Sequence, residues 1–546
     1  MERLTGRKAL LIQSEHQPMA GRALHCPEGL KTAKDAGEAF RAKWAELVRA
    51  GQPFLCWTSA QQAGMTNAPA TLAAGHRQQR PEARILIIDS TTPEAAAELA
   101  ADPDGVAQQY DAIYCSPAIS SGVSFERWKP AAVIACAGGQ IAPEHIVQAA
   151  ARVRCPDVPV FLFAPERCPG AGLRVGSGEK NPKKLIADLK AVSDPLFGEL
   201  DAAGANGVWL EAWAELGAIR NRQRFAYRAT IAGLLEREGW ALDGSPMSAS
   251  MEEEVAATTL KAIAEEQLKA QDLALLDAPA IGPEAAAVLA AKQRLNPADQ
   301  LSLKRFQLAK RWALPADSAV PLELLEADRS STREQLKTAY LLATPEALNL
   351  VPDCDAAKIA ALDPIGEQPF APDRLRVTMG AKLTALRALG LPALLKRLEQ
   401  GETIRATDPA VLRLHTAATA HKRQLIAATG FTPSKKASGT LRALLNACGW
   451  TLKSNGRTKA RGADRDTYQY RAERLALPAG VDPEALAAIW LAELRVQAAG
   501  AKSPPIGVFI GRKKAPRRCQ HPRRRPMASQ GGDSGPAPPR SAPIAA

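Results

Sequence analysis

Short apolar runs alternate with amphipathic helical stretches throughout the first 170 residues, and this alternation constrains the fold more than any other feature. The runs are apolar at nearly every position, which is typical of strands that are buried on both faces. Strands of that kind, separated by helices, predict an α/β fold with a parallel sheet. The predicted strands are Ala9–Gln13, Pro53–Thr58, Arg84–Asp89, Asp111–Cys115, Ala131–Ala137 and Val158–Phe163, and the predicted helices are Glu38–Ala50, Thr71–Arg80, Pro93–Ala101 and Pro143–Ala151.

Helical periodicity dominates from about residue 200 onward, with proline and glycine between the periodic segments. We therefore predict that the sheet domain occupies residues 1–200, a helical domain residues 201–425 and a closing helix residues 476–500. The predicted helices of this region are Trp209–Arg237, Met251–Leu276, Pro283–Arg294, Leu301–Ala313, Ser331–Leu342, Arg374–Leu398 and Val411–Ile426.

Residues 426–475 combine a helix with a predicted hairpin. Ser438–Cys448 has helical periodicity, whereas Gly449–Leu452 and Thr467–Arg471 are strand-like and are separated by a polar turn. This order is typical of a winged-helix-like module, and its many cations suit duplex or forked DNA. The alternative is a solvated basic surface. The predicted DNA-binding residues are Lys435, Lys436, Arg442, Lys453, Arg457, Lys459 and Arg461.

One short pattern occurs twice along the chain. Leu234–Trp240 and Leu444–Trp450 both read Leu-Leu, three variable residues, then Gly-Trp. Glycine favours the left-handed conformation that ends many helices. We interpret the pattern as two Leu-Leu helices that each end at a glycine, rather than as a true repeat.

The formal net charge of the 546 residues is +13, and most of that excess lies near the C-terminus. Residues 501–546 contain ten Lys and Arg but one acid, Asp533, which leaves +4 for the rest of the chain. Such a Pro/Arg/Ser/Gly-rich segment cannot bury enough apolar surface to fold, so we predict a disordered basic tail. The tail either binds phosphate backbones without sequence preference or is a solvated extension, or even out-of-frame sequence after Ile510.

The composition argues against a membrane-spanning protein and against a metal site built from cysteine or histidine. The longest apolar stretches are far shorter than the roughly 20 residues that span a bilayer, and no signal peptide is recognisable. The nine cysteines are scattered singly, without a CxxC pair or a metal-ligand spacing. His415 and His421 lie six residues apart and do not share a helix face. We therefore expect a cytoplasmic protein with reduced thiols, no metal site and no membrane partner.

The segment from Asp111 to Arg154 carries the residues that are best suited to chemistry. A buried strand delivers Ser116 to its carboxyl end, where ligands gather in open α/β sheets. The turn that follows supplies hydroxyls, backbone donors and a glycine that permits a close approach, so it can hold a phosphate. The residues of this loop are Ser116, Ser120, Ser121, Gly122 and Ser124.

One strand later, a helix that carries Gln148 leads to Arg152 and Arg154. The two arginines sit at alternate positions, so they need not share a role. One of them can reach a phosphate across a cleft, while the other pairs with a local acid. We expect Arg154 to be the arginine that reaches out, because it lies nearer the loop that follows the helix.

At these residues the chain resembles the second RecA-like motor domain of superfamily two helicases. Ser116–Ser124 looks like the fifth helicase motif, which touches the nucleic-acid backbone, and Gln148–Arg154 looks like the sixth, which supplies an arginine finger. Phe54–Ser59 and Arg84–Thr91 match the first two strands of that domain. Herpesvirus-type origin-binding helicases and cyanobacterial plasmid replication proteins have the most similar motifs. The resemblance covers residues 30–170.

The sequence departs from the helicase pattern in two respects. Ala151 stands where the sixth motif usually has glycine, and no G-x-x-x-x-G-K-[ST] phosphate loop occurs in the 546 residues. The Asp-Glu pair that would hold magnesium is also missing. The resemblance therefore implies that the chain begins after the first motor domain. It implies too that ATP and Mg²⁺ bind only when that domain is supplied as a partner.

Three hypotheses follow from the sequence. The first is a plasmid- or phage-type DNA replication protein, the C-terminal part of an ATP-dependent helicase or origin-binding initiator. The second is a non-catalytic DNA-binding scaffold that retains half a motor. The third is an unrelated α/β enzyme, in which Asp89 at a strand end would be the candidate carboxylate, although no partner acid or base is identifiable.

Overall fold

Seven parallel strands form the central sheet of the protein. The computed structural model describes residues 19–60, 64–117, 123–168, 173–197, 207–245, 251–292, 295–362, 379–458 and 467–499. In these residues the strands occur in the spatial order β3-β4-β2-β5-β6-β1-β7, and every pair is parallel. Their bounds are β1 (Ala23–His25), β2 (Phe54–Thr58), β3 (Ile85–Ile88), β4 (Ala112–Cys115), β5 (Ala132–Cys136), β6 (Val160–Phe163) and β7 (Ala241–Asp243).

The predicted parallel sheet is confirmed, and so is the burial of its strands on both faces. Every residue of β2, β4 and β5 is buried, because successive side chains point to opposite faces and each face is covered by helices. Phe54 and Cys56 belong to one apolar core, whereas Leu55 and Trp57 belong to the other. The predicted strand Ala9–Gln13 lies outside the described residues.

Helices cover both faces of the sheet. Helices α1 (Ala33–Ala50), α2 (Pro69–Gln79) and α9 (Met251–Leu276) supply Trp44, Leu72 and Leu260 to the core of one face. Leu99, Ile146 and Ile231 belong to the core of the opposite face. These residues lie on α3 (Pro93–Ala101), α5 (Pro143–Ala150) and α8 (Tyr227–Arg237). The chain between these helices also forms α4 (Pro103–Ala107), α6 (Pro182–Phe197) and α7 (Gly207–Phe225).

Local sequence explains where the first of these helices begins and ends. The Thr32 hydroxyl accepts the backbone N–H of Asp35 while the Asp35 carboxylate accepts that of Thr32, a reciprocal capping box. Gly51 ends α1 with φ of 63°, and its N–H donates to the carbonyl oxygens of Leu47 and Val48.

The remainder of the chain is mostly helical, as predicted, although three predicted helices are broken. Trp209–Arg237 divides at Ala226 between α7 and α8, and the segment before Leu398 divides at Gly390, whose φ is 75°. Val411–Ile426 divides at His421. The helices of this region are α10 (Pro283–Ala291), α11 (Pro297–Arg311), α12 (Leu322–Arg329), α13 (Thr332–Ala343), α14 (Pro345–Leu362), α15 (Met379–Ala388), α16 (Leu391–Glu399), α17 (Pro409–Ala420), α18 (Lys422–Thr429), α19 (Ala437–Asn446) and α20 (Pro483–Ala498).

A second, antiparallel sheet lies in the last third of the described chain. Its strands are β8 (Ile404–Arg405), β9 (Trp450–Thr458) and β10 (Thr467–Arg474), in the order β8-β10-β9. Its core joins α16, α17 and α19, with Leu394, Val411, Leu444 and Trp450 all buried. The predicted turn residues 459–466 and the tail 501–546 lie outside the described residues.

The parallel sheet extends further than the sequence pattern indicated. Strands β1 and β7 add to its edge beyond β6, and β7 comes from residues 241–243, where we had predicted helix-rich sequence. Helix α8 precedes β7 and packs Ile231 and Leu235 into the core of the sheet. Residues on both sides of position 200 therefore build one sheet.

Candidate functional site

The direction of the crossovers reverses at the carboxyl edge of the sheet between β2 and β5, the position at which open parallel sheets have a crevice. After β2 the chain turns through α2 toward β3, whereas after β5 it turns through α5 toward β6, in the opposite direction. Helices α2 and α5 lie on opposite faces of the sheet. In open parallel sheets, ligands bind at such a switch point because the two loops part there.

Hydroxyls and a glycine line this switch point. The Ser59 hydroxyl accepts the backbone N–H of Gly138 at 2.8 Å and donates to Gln140 Oε1 at 3.3 Å. A Cβ atom at Gly138 would lie 2.7 Å from Gln140 Oε1 and 3.2 Å from Ser59 Oγ, so a larger residue there would displace the end of the Gln140 side chain. The Thr58 hydroxyl donates to the carbonyl oxygen of Asn67 at 2.8 Å. The arrangement offers hydroxyl and amide groups at the switch point.

A cation borders the same switch point. Arg41 Nη1 donates to Asn67 Oδ1 at 3.2 Å, so α1 places a guanidinium beside the residues that follow β2. Hydroxyls, amides and one cation suit a phosphate group or a nucleic-acid backbone. Sequence reasoning missed Ser59, Asn67 and Gln140 as site residues. The available signal was the polar or glycine residue directly after each apolar strand.

The loop predicted from the sequence follows β4, beside this switch point. Ser116 is fully buried at the end of the strand, and its backbone N–H donates to the carbonyl oxygen of Ile88 at 3.0 Å. Ser124 is half-buried, between the buried Val123 and Phe125. The other predicted loop residues, Ser120, Ser121 and Gly122, lie outside the described residues.

The two segments that resemble helicase motifs are joined directly. Phe125 and Val153 form a parallel β-bridge, in which the Phe125 N–H donates to the Arg152 carbonyl oxygen at 2.9 Å. The Arg154 N–H donates back to the carbonyl oxygen of Phe125 at 2.8 Å. These two bonds hold Phe125 against the segment that follows α5.

Arg152 and Arg154 differ in their surroundings. Arg152 is half-buried, and its Nη1 donates to the carbonyl oxygen of Val123 at 2.8 Å. Burial, and then the positive charge of Arg154, lower the pKa of Arg152 below its ordinary value. Arg154 and Gln148 are exposed. Of the three residues, Arg152 is thus the one held against the loop.

Arg22 braces this arginine segment from the residue before β1, and no sequence pattern singled it out. Its side chain is fully buried, and it donates to the carbonyl oxygens of Val153 (2.5 Å) and Val158 (2.8 Å). The guanidinium also lies 4.7 Å from the ring centroid of Trp240. Burial lowers the pKa of Arg22 to about 10. The group therefore remains charged at neutral pH inside the core.

Asp104 anchors the crossover between β4 and β5. Its buried carboxylate accepts the backbone N–H groups of Glu126 (3.2 Å), Arg127 (3.0 Å) and Trp128 (2.8 Å). Burial alone would raise the pKa of Asp104, but these donors, with the Arg127 charge, hold it below its ordinary value. The carboxylate therefore stays ionised and fixes the crossover that leads from the predicted loop.

The remaining predicted site residues lie on the module built around α19. Lys435 and Lys436 are exposed just before the helix, and Arg442 is exposed on it. Lys453 is exposed on β9 and forms an ion pair of 2.5 Å with Glu473. Arg457 lies on β9, but its side chain is outside the description, as are the whole of Lys459 and Arg461.

Hydrogen bonds hold the lysine-bearing loop onto the module. The buried Thr440 hydroxyl accepts the backbone N–H of Ser434 at 3.1 Å and lies 3.0 Å from His415 Nδ1. The Ser434 hydroxyl accepts the N–H of Lys436 at 3.3 Å. These bonds fix the backbone that presents both lysines at the N-terminus of α19. His415 therefore has a hydrogen-bond partner in Thr440. His421 follows the last residue of α17.

Two classes of feature are absent from the part of the chain that the structure describes. There, no group of three or more His, Cys, Asp or Glu side chains could hold a metal ion. No helix of those residues combines the length and apolarity needed to cross a membrane. A lysine-bearing phosphate loop of the G-x-x-x-x-G-K-[ST] type does not occur in the 546 residues.

Comparisons with known proteins assign the chain to no family. No family model and no solved structure matches it. Among curated proteins, an uncharacterized protein of Picosynechococcus sp. is 24% identical over 375 residues. The alignment covers 64% of this chain and 36% of the relative, so the chain spans about a third of that protein's length.

Proposed function

We propose that the chain is a DNA-acting replication protein of the helicase or origin-binding initiator type. The observation that carries the proposal is the order of elements between residues 391 and 474. Helix α16, strand β8, helices α17 to α19 and strands β9 and β10 follow one another, and the first strand pairs with the last. This order resembles that of a winged-helix domain, in which α19 would be the recognition helix.

The charge on this module supports DNA as the partner. Lys435 and Lys436 stand at the N-terminus of α19, where backbone N–H groups also favour a phosphate. Arg442 is exposed two turns further along the same helix and could reach another phosphate of the backbone. Lysines at the end of the helix would thus set its register on the backbone.

The sheet region supports a motor role for residues 30–170. In helicases of superfamily two, the fifth and sixth motifs communicate, and here Arg152 Nη1 of one motif-like segment donates to the carbonyl oxygen of Val123 in the other. Arg154 is exposed and Arg152 is tied to the loop, in keeping with one outward and one internal arginine. ATP hydrolysis would need a phosphate-loop domain joined to this sheet, in the same chain or as a partner.

DNA binding by the module can be tested by its salt dependence. Replacing Lys435, Lys436 or Arg442 with glutamine should each lower the slope of log K against log salt by about 1, because one phosphate contact is lost. Lys261→Gln, an exposed lysine on α9, is the matched control and should leave the slope unchanged. Equal effects of all four substitutions would mean that charge in general, and not this module, binds DNA.

The motor role can be tested with the protein joined to a domain that carries a phosphate loop. Arg154→Ala should then abolish DNA-stimulated ATP hydrolysis, since loss of an arginine finger costs on the order of 10³–10⁵ in turnover. DNA affinity, which we assign to α19, should persist. Hydrolysis that survives in the Arg154→Ala protein would overturn the motor role but not the DNA-binding role.

A non-catalytic DNA-binding scaffold is the second candidate, and the missing phosphate loop favours it. The same module would bind DNA, with the sheet as a folded platform. This candidate predicts a DNA affinity that is the same with and without ATP, and an Arg154→Ala protein that is indistinguishable from the wild type. DNA-stimulated hydrolysis that depends on Arg154 would exclude it.

A further inference from the structure

A cleft of about 650 Å³ lies between the antiparallel sheet and the helices that support it. Helix α13 forms one wall, α16 and α20 form others, and the first residues of β9 close the end. A volume of this size falls within the usual range for small-molecule sites. None of the residues predicted to bind DNA lines it, so the cleft is a separate feature of the molecule.

The floor of the cleft is apolar. Leu336 and Tyr340 from α13 and Leu395 from α16 line it, together with the buried Trp450 and Trp490. Tyr340 and Trp490 pack with ring centroids 5.4 Å apart. An apolar molecule that displaced water from this floor would gain the usual hydrophobic free energy of burial.

The two cationic side chains that line the cleft differ in whether a carboxylate pairs with them. Arg474 forms an ion pair with Glu399 and lies over the Trp450 ring, 5.2 Å from its centroid, so its charge is already compensated. Lys396 is exposed and lines the same cleft. Among the described residues, Lys396 has no carboxylate within ion-pair distance. The cleft therefore carries one uncompensated positive charge beside an apolar floor.

We propose that this cleft binds a small amphipathic anion, with its apolar body against Trp450 and Trp490 and its single anionic group at Lys396. The ligand would contact β9, α13 and α20 together, so its binding would fasten the antiparallel sheet to the helical region. The proposal does not depend on the DNA-binding role, because the cleft and the lysines before α19 are separate.

Two fluorescent probes that differ by one charge can test the proposal. Anilinonaphthalene sulfonate has an aromatic body and one sulfonate, and N-phenyl-1-naphthylamine is nearly the same molecule without the sulfonate. We expect one site per chain for both probes, with the sulfonate bound about threefold to fivefold more tightly through Lys396. Binding of either should raise the melting temperature, because the ligand stabilises only the folded state.

Substitutions locate the site. In the Lys396→Gln protein, the sulfonate should bind no better than the neutral probe, whose own affinity should not change. Lys435→Gln, an exposed lysine outside the cleft, is the matched control and should preserve the difference. Ala339→Trp on α13, or Ala487→Trp on α20, should fill the cleft and abolish binding of both probes.

Several results would overturn the proposal. One is tight binding of both probes to a folded Ala339→Trp or Ala487→Trp protein, and another is a Lys396→Gln protein that still prefers the sulfonate. Binding of many probe molecules per chain would indicate a nonspecific apolar surface. If both tryptophan variants fail to fold, the comparison of Lys396→Gln with Lys435→Gln decides alone, since neither surface substitution should affect folding.

Discussion

One strand of the parallel sheet and one strand of the antiparallel sheet are entered in the same way. In each case a helix with two successive leucines ends at a glycine, and a buried tryptophan follows that glycine at the start of the strand. Gly239 has φ of 85° and precedes Trp240 and β7, and Gly449 has φ of 71° and precedes Trp450, the first residue of β9. The strands then pair differently. β7 joins β1 in parallel, whereas β9 pairs antiparallel with β10. The shared pattern ends a helix and buries a ring, but it does not choose the strand's partner.

An arginine lies over each of these tryptophans, yet the two arginines have opposite surroundings. Arg22 is fully buried and donates to two backbone carbonyl oxygens. Arg474 is exposed and forms an ion pair with Glu399. A buried cation leaves its partners unsatisfied when it is removed, whereas water replaces an exposed one. The comparison therefore teaches that similar local contacts carry very different energies in the two sheets.

Arg22→Met should produce the largest difference between the two sheets. We expect the free energy of unfolding to fall by about 2–4 kcal/mol, because the carbonyl groups of Val153 and Val158 lose a buried donor. Arg474→Met should cost less than about 1 kcal/mol. Urea unfolding of both proteins measures the two values. Similar losses in the two proteins would show that burial does not distinguish these arginines.

Two aspartates, one in each sheet region, extend the comparison to carboxylates. Asp104→Asn should lower the free energy of unfolding by about 1–3 kcal/mol, because an amide cannot accept the three backbone N–H groups as a carboxylate does. Asp408 caps α17 and pairs with Arg397, and Asp408→Asn should cost less than about 1 kcal/mol, because asparagine also caps helices.

The pH dependence has the same sign at both aspartates. Three backbone donors outweigh burial at Asp104, and the Arg397 hydrogen bond lowers the pKa of Asp408, so both groups have pKa values below the ordinary one. Their stabilising effect is complete above the unfolded pKa of about 4 and is lost as the pH falls through the lower folded value. Urea unfolding at pH 7 and near pH 3 should show the cost of Asp104→Asn shrinking. A cost that grows in acid would contradict this assignment.

The two glycines should respond alike. Gly239→Ala and Gly449→Ala should each lower the free energy of unfolding by about 1 kcal/mol, because alanine is strained at positive φ. At Gly449 an added Cβ would meet Leu336 and Gln335 at ordinary distances of 3.5 and 3.6 Å, so the backbone alone sets the cost. Thermal or urea unfolding tests this. A much larger loss at one glycine would mean that the two helix ends are not equivalent.

The smallest effects on stability are expected at one exposed arginine in each region. Arg154→Ala and Arg442→Ala should each change the free energy of unfolding by less than about 0.5 kcal/mol. Their effects on DNA should differ, since Arg442→Ala should weaken binding while Arg154→Ala should not. Binding titrations at fixed salt distinguish them. Unfolding of the Arg154→Ala protein would show that this residue is structural instead.

Much of the parallel sheet could be predicted from the sequence. The apolar runs located β2 to β6 to within two residues, because strands buried on both faces leave continuous apolar sequence. The runs could not locate β1 or β7, which are three residues each and too short to show a period. Those strands are set by pairing, as in the register of Leu24 with Val160 and Leu242.

The candidate site was likewise only partly predictable from the sequence. The sequence placed Ser116 at the end of a buried strand and both arginines after a helix, because these positions follow from the local order of elements. It gave no reason to bring Ser59 near Gly138, or Arg22 near Val153. Those residues are far apart in the chain, and they meet because strand order and crossover direction place them together.

The sequence by itself determined the alternation of strands and helices, the helix ends at glycine and the exposure of the lysines before α19. These features depend on neighbours within a few residues, so a local pattern records them. Tertiary structure alone decided the order of the strands, the switch point between β2 and β5, and the cleft beside Trp450. Each depends on which distant segments pack together. Arg22 is an example, because its buried side chain is stabilised by the carbonyl groups of Val153 and Val158, which are far from it in the chain.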